Sequence, residues 1–118
     1  MLKTLVIDLT AGKGPKRKLA VCVIPTTYHL SLKKAAAAHG VSKAAMADPH
    51  DASKSSGYIP GGISPLGQKN PLPTVIEETA VLFDTVFISG GRRGLDIELS
   101  AESLAELCSA SFADLLAQ

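Results

Sequence analysis

Two apolar runs separated by a polar loop occupy residues 2–25, LKTLVIDLTAGKGPKRKLAVCVIP. The first run, residues 2–9, is rich in β-branched and apolar side chains and predicts a strand. The second, residues 19–25, is almost continuously apolar, which is typical of a strand that is buried on both faces. Residues 11–18 hold two glycines, one proline and four cations, so we expect the loop of a hairpin there.

Three helices are predicted downstream from residues that favour the N-cap position. Such residues accept a hydrogen bond from a backbone N–H group in the first helical turn. The predicted caps and helices are Ser31 before residues 32–39, Asp48 before a short helix that ends near Gly57, and Ser100 before residues 101–108. In the last helix we expect Leu104 and Leu107 to face the core, followed by Phe112 and Leu115.

Short β-rich runs at residues 74–76, 85–89 and 95–99 predict three further strands. Strands therefore outnumber helices, and the hairpin spacings favour a mixed, largely antiparallel sheet with helices packed on it. We expect one α+β domain over residues 1–118.

Charge is balanced overall, at +1, but it is unevenly distributed. Five cations and one acid precede Leu19, whereas only acids follow Arg93. This pattern fits local contact with phosphates, but the residues alone favour a solvated surface with chance clustering.

The cysteines and histidines do not suggest a metal or redox site. Cys22 and Cys108 form no CxxC pair, and the three histidines lack the spacing of metal ligands. We expect no cofactor. No run approaches the roughly 20 apolar residues of a membrane helix, so we expect a cytoplasmic protein without membrane contact.

Two glycine-containing segments are candidates for ligand binding. Residues 61–65, GGISP, offer backbone N–H groups without screening side chains, as an oxyanion hole requires, or form only a tight packing turn. Residues 89–96, SGGRRGLD, combine close backbone approach with two arginines that fit phosphates, or form only a glycine turn. Lys3 on the first strand is a third candidate, against the alternative of an ordinary surface lysine. The residues alone do not choose between these readings.

Several motifs in order resemble the YbaK-type branch of the prolyl-tRNA editing-domain superfamily, over nearly the whole chain. They are MADP at residues 46–49, GYIPGGISPLGQK at residues 57–69, LPTVI at residues 72–76 and ISGGRRGLDIEL at residues 88–99. The resemblance implies the fold of that superfamily. It also implies an aminoacyl-tRNA deacylase that removes a mischarged amino acid, chiefly Cys from tRNA(Pro).

The implied chemistry uses no protein nucleophile, because the substrate thiol or a positioned water attacks the ester. The resemblance carries catalytic roles to Lys3, Gly61, Gly62, Ser64, Pro65 and Asp96, and substrate-binding roles to Tyr58, Ile63, Ser89, Gly90, Gly91 and Arg92. In these roles Lys3 orients the terminal adenosine or the ester, the Gly61 and Gly62 amides hold the carbonyl, and Asp96 fixes the substrate or its amino group.

The implied partners are mischarged tRNA, tRNA(Pro) in particular, and prolyl-tRNA synthetase. Family members carry a segment before the strand that holds Lys3, whereas here Met1 stands two residues before it. We therefore expect an N-terminally short domain with weakened activity and a tendency to self-associate. Family members usually carry a lysine directly after Lys69, on a basic rim that contacts tRNA, and Asn70 replaces that lysine here. The alternative function is a non-catalytic module with a degenerate editing fold that binds tRNA or a nucleotide.

Overall fold

The hairpin predicted from residues 2–25 lies at the centre of the fold. In the computed structural model, which describes residues 1–59, 62–92 and 94–118, β1 spans Leu2–Asp8 and β2 spans Leu19–Pro25. The two strands pair antiparallel along their whole length, from Leu2 opposite Pro25 to Asp8 opposite Leu19. This pairing confirms the predicted hairpin.

The main sheet has five strands in the order β3-β1-β2-β4-β7, and two further strands form a separate ribbon. β1 pairs antiparallel with β2 and β3, whereas β4 pairs parallel with β2 and β7, so the predicted mixed sheet is confirmed. The remaining strands are β3 (Ala45–Met46), β4 (Thr74–Glu77), β5 (Val86–Ser89), β6 (Asp96–Leu99) and β7 (Ser111–Ala113). β5 and β6 make the antiparallel ribbon.

The three helices begin at the predicted caps. The side chains of Ser31, Asp48 and Ser100 each accept a hydrogen bond from a backbone N–H of the first turn. The helices are α1 (Leu32–Ala38), α2 (Pro49–Ser56) and α3 (Ala101–Cys108), and a 3₁₀ helix covers Glu78–Leu82.

Apolar side chains on both faces of the sheet are buried, as the continuous pattern of β2 predicts. Val21 and Val23 pack in one core cluster with residues of α2 and α3. Cys22 and Ile24 point the other way and pack with residues of α1. The sheet therefore has a layer on each face.

The prediction for Leu107 is wrong. Its side chain is 66% exposed, whereas Ala101, Leu104 and Ala105 are buried. The buried stripe of α3 follows the i, i+3, i+4 spacing from Ala101, which leaves Leu107 beside it. The sequence analysis also missed β3, β7 and the 3₁₀ helix, because segments of two to five residues carry little periodicity.

A buried carboxylate ties the C-terminal segment to the sheet. Glu77, at the end of β4, is 1% exposed. Its Oε1 accepts from the Leu115 N–H at 2.8 Å, and its Oε2 accepts from the Thr79 N–H at 2.9 Å. Both N–H groups are thus satisfied, which keeps Leu115 in the core.

A second buried carboxylate, that of Asp8, organises the loop of the β1–β2 hairpin. It accepts from the Thr10 hydroxyl at 2.7 Å and from the backbone N–H groups of Thr10 and Gly12 at 2.9 and 3.1 Å. Arg17 lies 3.3 Å from it. Burial raises the pKa of Asp8, but the hydrogen bonds from Thr10, Gly12 and Lys18 outweigh burial and lower the pKa to about 2.

We expect Asp8→Asn to lower the free energy of unfolding by about 1–2 kcal/mol at pH 7, because a charged acceptor is lost from several donors. The folded pKa of Asp8 lies below its ordinary value of 3.8. The stabilisation is therefore complete above about pH 4 and is lost as the pH falls toward 2.

Urea unfolding of both proteins between pH 7 and pH 2 measures this difference. The matched control is Asp84→Asn, which makes the same change at an exposed position. A difference between wild type and Asp8→Asn that stays constant down to pH 2 would contradict the role of the carboxylate.

Candidate active site

A cavity of about 520 Å³ opens beside the first half of β1. β3 pairs with Ile7 and Asp8 at the far end of β1, and among the described residues no strand pairs with that edge of β1 around Lys3. The cavity is lined by Met1, Leu2, Lys3, Thr4, Leu5, Thr26, Ile59, Gly62, Ile63, Ser89, Arg92, Gly94 and Asp96. Six of the residues predicted for the site, from three separate segments, are among them.

The edge of β1 contributes backbone groups to this cavity. The Val6 carbonyl accepts from the Ala47 N–H on the β3 side, whereas the Met1 carbonyl accepts from the Thr26 N–H on the β2 side. Because backbone groups alternate in direction along a strand, Leu2 and Thr4 turn their N–H and C=O toward the same edge as Val6. The cavity therefore has backbone donors and acceptors beside the Lys3 side chain.

The register of the β5–β6 ribbon places two predicted polar residues together. Ser89 lies directly opposite Asp96, and both line the cavity. Side chains of directly opposed residues stand on the same face, about 5 Å apart at Cβ. The turn between these strands adds Arg92, whose side chain is exposed.

The loop after α2 forms the apolar wall with Ile59 and Ile63. Between them, the Gly62 N–H donates to the Ile59 carbonyl at 3.0 Å. In this structure the turn itself uses the donor predicted to hold a substrate carbonyl, and that role for Gly62 stays a prediction. Gly61, the other glycine predicted for that role, lies outside the described residues, as do Pro60 and Arg93.

Ser64 and Pro65 are buried and do not line the cavity. The Ser64 Oγ accepts from the Leu66 N–H at 3.2 Å, and its carbonyl accepts from the Gln68 side chain at 3.1 Å. The Pro65 carbonyl accepts from the Cys108 Sγ at 3.4 Å. In this structure the two residues hold the loop rather than face the cavity.

Tyr58, Gly90 and Gly91 lie behind the cavity and pack the ribbon turn against the loop. A Cβ on Gly91 would stand 2.5 Å from Cε1 of Tyr58, and one on Gly90 would stand 2.6 Å from Cγ of Leu95. The Tyr58 hydroxyl donates to the Leu66 carbonyl. These glycines therefore permit a close approach that any side chain would block.

Sequence reasoning missed Thr4, Thr26, Ile59 and Gly94 as lining residues. Thr26 had a usable signal, because counting outward from the hairpin loop sets Pro25 opposite Leu2 and Thr26 just beyond it. Ile59 and Gly94 reach the cavity through the folding of two loops, for which the sequence shows no periodic signal.

The two cysteines and His39 do not line the cavity. Burial raises the pKa of Cys22 to about 12 and also raises the pKa of Cys108. Burial lowers the pKa of His39, whose Nε2 lies 3.1 Å from the Val21 carbonyl.

Across the described residues, no three His, Cys, Asp or Glu side chains converge as a metal site. No helix there is long and apolar enough to cross a membrane.

We expect Gly91→Ala to destabilise the protein more than Gly94→Ala does. Both residues have a left-handed φ, +98° and +81°, which costs any other residue about 1–2 kcal/mol. A methyl group at Gly94 meets open space, whereas one at Gly91 meets the Tyr58 ring. Urea unfolding should show a further loss of about 1–3 kcal/mol for Gly91→Ala. Equal losses for the two variants would contradict the packing of Tyr58 on the turn.

The chain is similar in sequence to a curated bacterial protein. A protein from Enterococcus faecalis (strain ATCC 700802 / V583), named EbsC and described as a candidate Cys-tRNA(Pro)/Cys-tRNA(Cys) deacylase, is 39% identical over 102 residues, 86% of this chain. The chain spans 62% of the length of that relative.

Solved structures share the fold. The crystal structure of a candidate trans-editing enzyme for prolyl-tRNA synthetase superposes with a TM-score of 0.85 at 26% identity, over 99% of this chain and 70% of that one. A scaffold from computational epitope grafting superposes with a TM-score of 0.85 at 25% identity, over 99% and 71%. Residues 1–107 match the family of aminoacyl-tRNA editing domains. The chain belongs to the aminoacyl-tRNA editing domain family.

Proposed function

We propose that this protein is an aminoacyl-tRNA deacylase that removes a mischarged amino acid, most often Cys from tRNA(Pro). The observation that carries the proposal is the cavity beside β1, which gathers Lys3, Arg92 and Asp96 from separate segments. Its volume of about 520 Å³ suits a small organic group such as an aminoacylated ribose. The name of the Enterococcus faecalis relative supports the same substrate class.

The charges of the cavity fit the two ends of an aminoacyl-adenosine. The Asp96 carboxylate is suited to the ammonium group of an esterified amino acid. Lys3 and Arg92 are suited to phosphate oxygens, and Lys3 also to the ester oxygen as it gains negative charge. Ile59 and Ile63 offer an apolar wall for the side chain of the amino acid.

The attacking group comes from the substrate or from water. The described part of the lining contains no His, Cys or Glu, and the Ser89 Oγ already accepts from the Gly91 N–H at 3.1 Å. With a cysteinyl ester, the thiol sulfur bonds to the carbonyl carbon, the bond from that carbon to the ribose oxygen breaks, and the ribose oxygen takes up the thiol proton. With other esters, water forms the new bond and a free amino acid leaves.

The partners follow from this activity. The protein acts on tRNA in the cytoplasm, and the trans-editing neighbour supports prolyl-tRNA synthetase as a partner. Exposed apolar side chains support self-association. Two of them, Leu82 and Phe83, are 77% and 61% exposed and line a second cavity.

The first test compares three substrates on one tRNA. We expect Cys-tRNA(Pro) to be deacylated at least tenfold faster than Pro-tRNA(Pro), because proline lacks a side chain that can attack the ester. Ala-tRNA(Pro) separates the two routes, since a rate close to that of Cys indicates water and a much lower rate indicates the thiol. Single-turnover release of labelled amino acid is the measurement. If all three esters decay at the uncatalysed rate, the proposal fails and the non-catalytic module is favoured.

The second test removes one of the two described cationic side chains of the cavity, that of Lys3. We expect Lys3→Ala to lower the deacylation rate tenfold or more, because a positioned charge at the reacting ester is lost. The free energy of unfolding should change by less than about 0.5 kcal/mol, as for a partly exposed side chain that makes no hydrogen bond or ion pair with the described residues. Lys33→Ala, an exposed lysine on α1, is the matched control. Unchanged turnover in a folded Lys3→Ala protein would exclude this role for Lys3.

A further inference from the structure

We propose that a basic groove at the opposite end of β1 binds the phosphate backbone of the tRNA whose 3′ end enters the cavity. The groove, about 310 Å³, is lined by Arg17, Leu19, Asp51, Lys54, Ser55, Lys69 and Asn70. None of these residues lines the cavity beside Lys3. This inference rests on the proposed function for the identity of the RNA.

The lysines of the groove are free to take an anionic ligand. Among the described residues, the ion pairs within 4 Å are Arg17–Asp8 and Lys34–Asp114. Lys54 and Lys69 are exposed and have no such acid partner. Asp51 is the one acid of the lining, so the groove keeps a positive balance. Exposed ammonium groups without an acid partner attract phosphate oxygens.

The cations are carried on segments that hydrogen bonds hold in place. The Lys69 N–H donates to the Ser56 carbonyl at 2.9 Å, and the Asn70 N–H and Nδ2 both donate to the Ser55 carbonyl at 3.1 Å. These bonds satisfy carbonyls at the end of α2 and keep Lys69 beside Lys54. Across the groove, Asp8 and the loop carbonyls of Lys13 and Gly14 hold the Arg17 guanidinium.

The linings of the groove and the cavity approach each other after α2, where one strand of RNA could pass from one to the other. Ser55 lines the groove and Ile59, four residues later, lines the cavity. Four residues of chain span at most about 14 Å. A stacked nucleic-acid strand rises roughly 3.4 Å per nucleotide, so about four nucleotides cover that distance. The groove therefore fits phosphates close to the aminoacylated 3′ end.

The test uses tRNA(Pro) without an amino acid, so that binding is measured apart from turnover. The groove variant is Lys54→Gln with Lys69→Gln. The control is Lys33→Gln with Lys43→Gln, which removes the same charge from exposed positions outside both the groove and the cavity. Fluorescence anisotropy gives the Kd across a range of KCl concentrations, and thermal unfolding checks that both variants are folded.

We expect the groove variant to weaken tRNA binding at least fivefold and to reduce the salt slope by about one to two, since each lost phosphate contact removes about 0.7–0.9 from it. The control should stay within twofold of wild type. Equal effects of the two variants would overturn the inference. So would a groove variant that keeps tRNA binding but loses binding to vesicles of anionic phospholipid. Groove-dependent tRNA binding in a protein that deacylates nothing would keep this inference and reject the proposed function.

Discussion

The carboxylate of Asp8 fixes the loop of the β1–β2 hairpin, and the arrangement of both the cavity and the groove depends on that loop. It accepts hydrogen bonds from the N–H groups of Thr10 and Gly12 and thereby fixes the conformation of the turn. The turn, held in its place, sets which residue of β1 stands opposite which residue of β2. A slip of one residue would reverse the direction of every side chain in a strand. The register puts Lys3 at the open edge of β1, and the same carboxylate holds Arg17 at the other end.

The cavity and the groove lie at opposite ends of β1, and the uneven distribution of charge along the chain follows from this arrangement. The hairpin loop and the end of α2 bring Arg17 and Lys54 together in the groove. The acids after Arg93 fall on β6 and the later segments, and of these only Asp96 faces the cavity. A net charge near zero thus coexists with a basic groove, and the attraction of this groove for anions is local rather than a property of the whole protein.

Most of the fold could be predicted because its signals are local. The N-caps Ser31, Asp48 and Ser100 act within one turn, and the continuous apolar run of β2 is a property of seven consecutive residues. The site could be predicted only in part. Ser89 and Asp96 meet through a short ribbon turn whose length is visible in the sequence, whereas the hydrogen bond that occupies the Gly62 amide depends on how the loop closes on Ile59. Ser64 shows the same limit, because nothing in its neighbours indicates that its side chain turns inward.

The composition of the cavity also bears on how a deacylase of this kind would select its substrate. Cysteine and proline differ little in size, and an apolar pocket discriminates only about 1–3 kcal/mol for one methylene group. The walls that Ile59 and Ile63 provide therefore separate the two amino acids weakly. A site that positions the ester with Lys3 and Asp96, and leaves the attack to the bound substrate, does not depend on size. If the thiol is the attacking group, a cysteinyl ester cyclises there and leaves the tRNA, whereas a prolyl ester, held equally well, has no side chain able to attack and is spared.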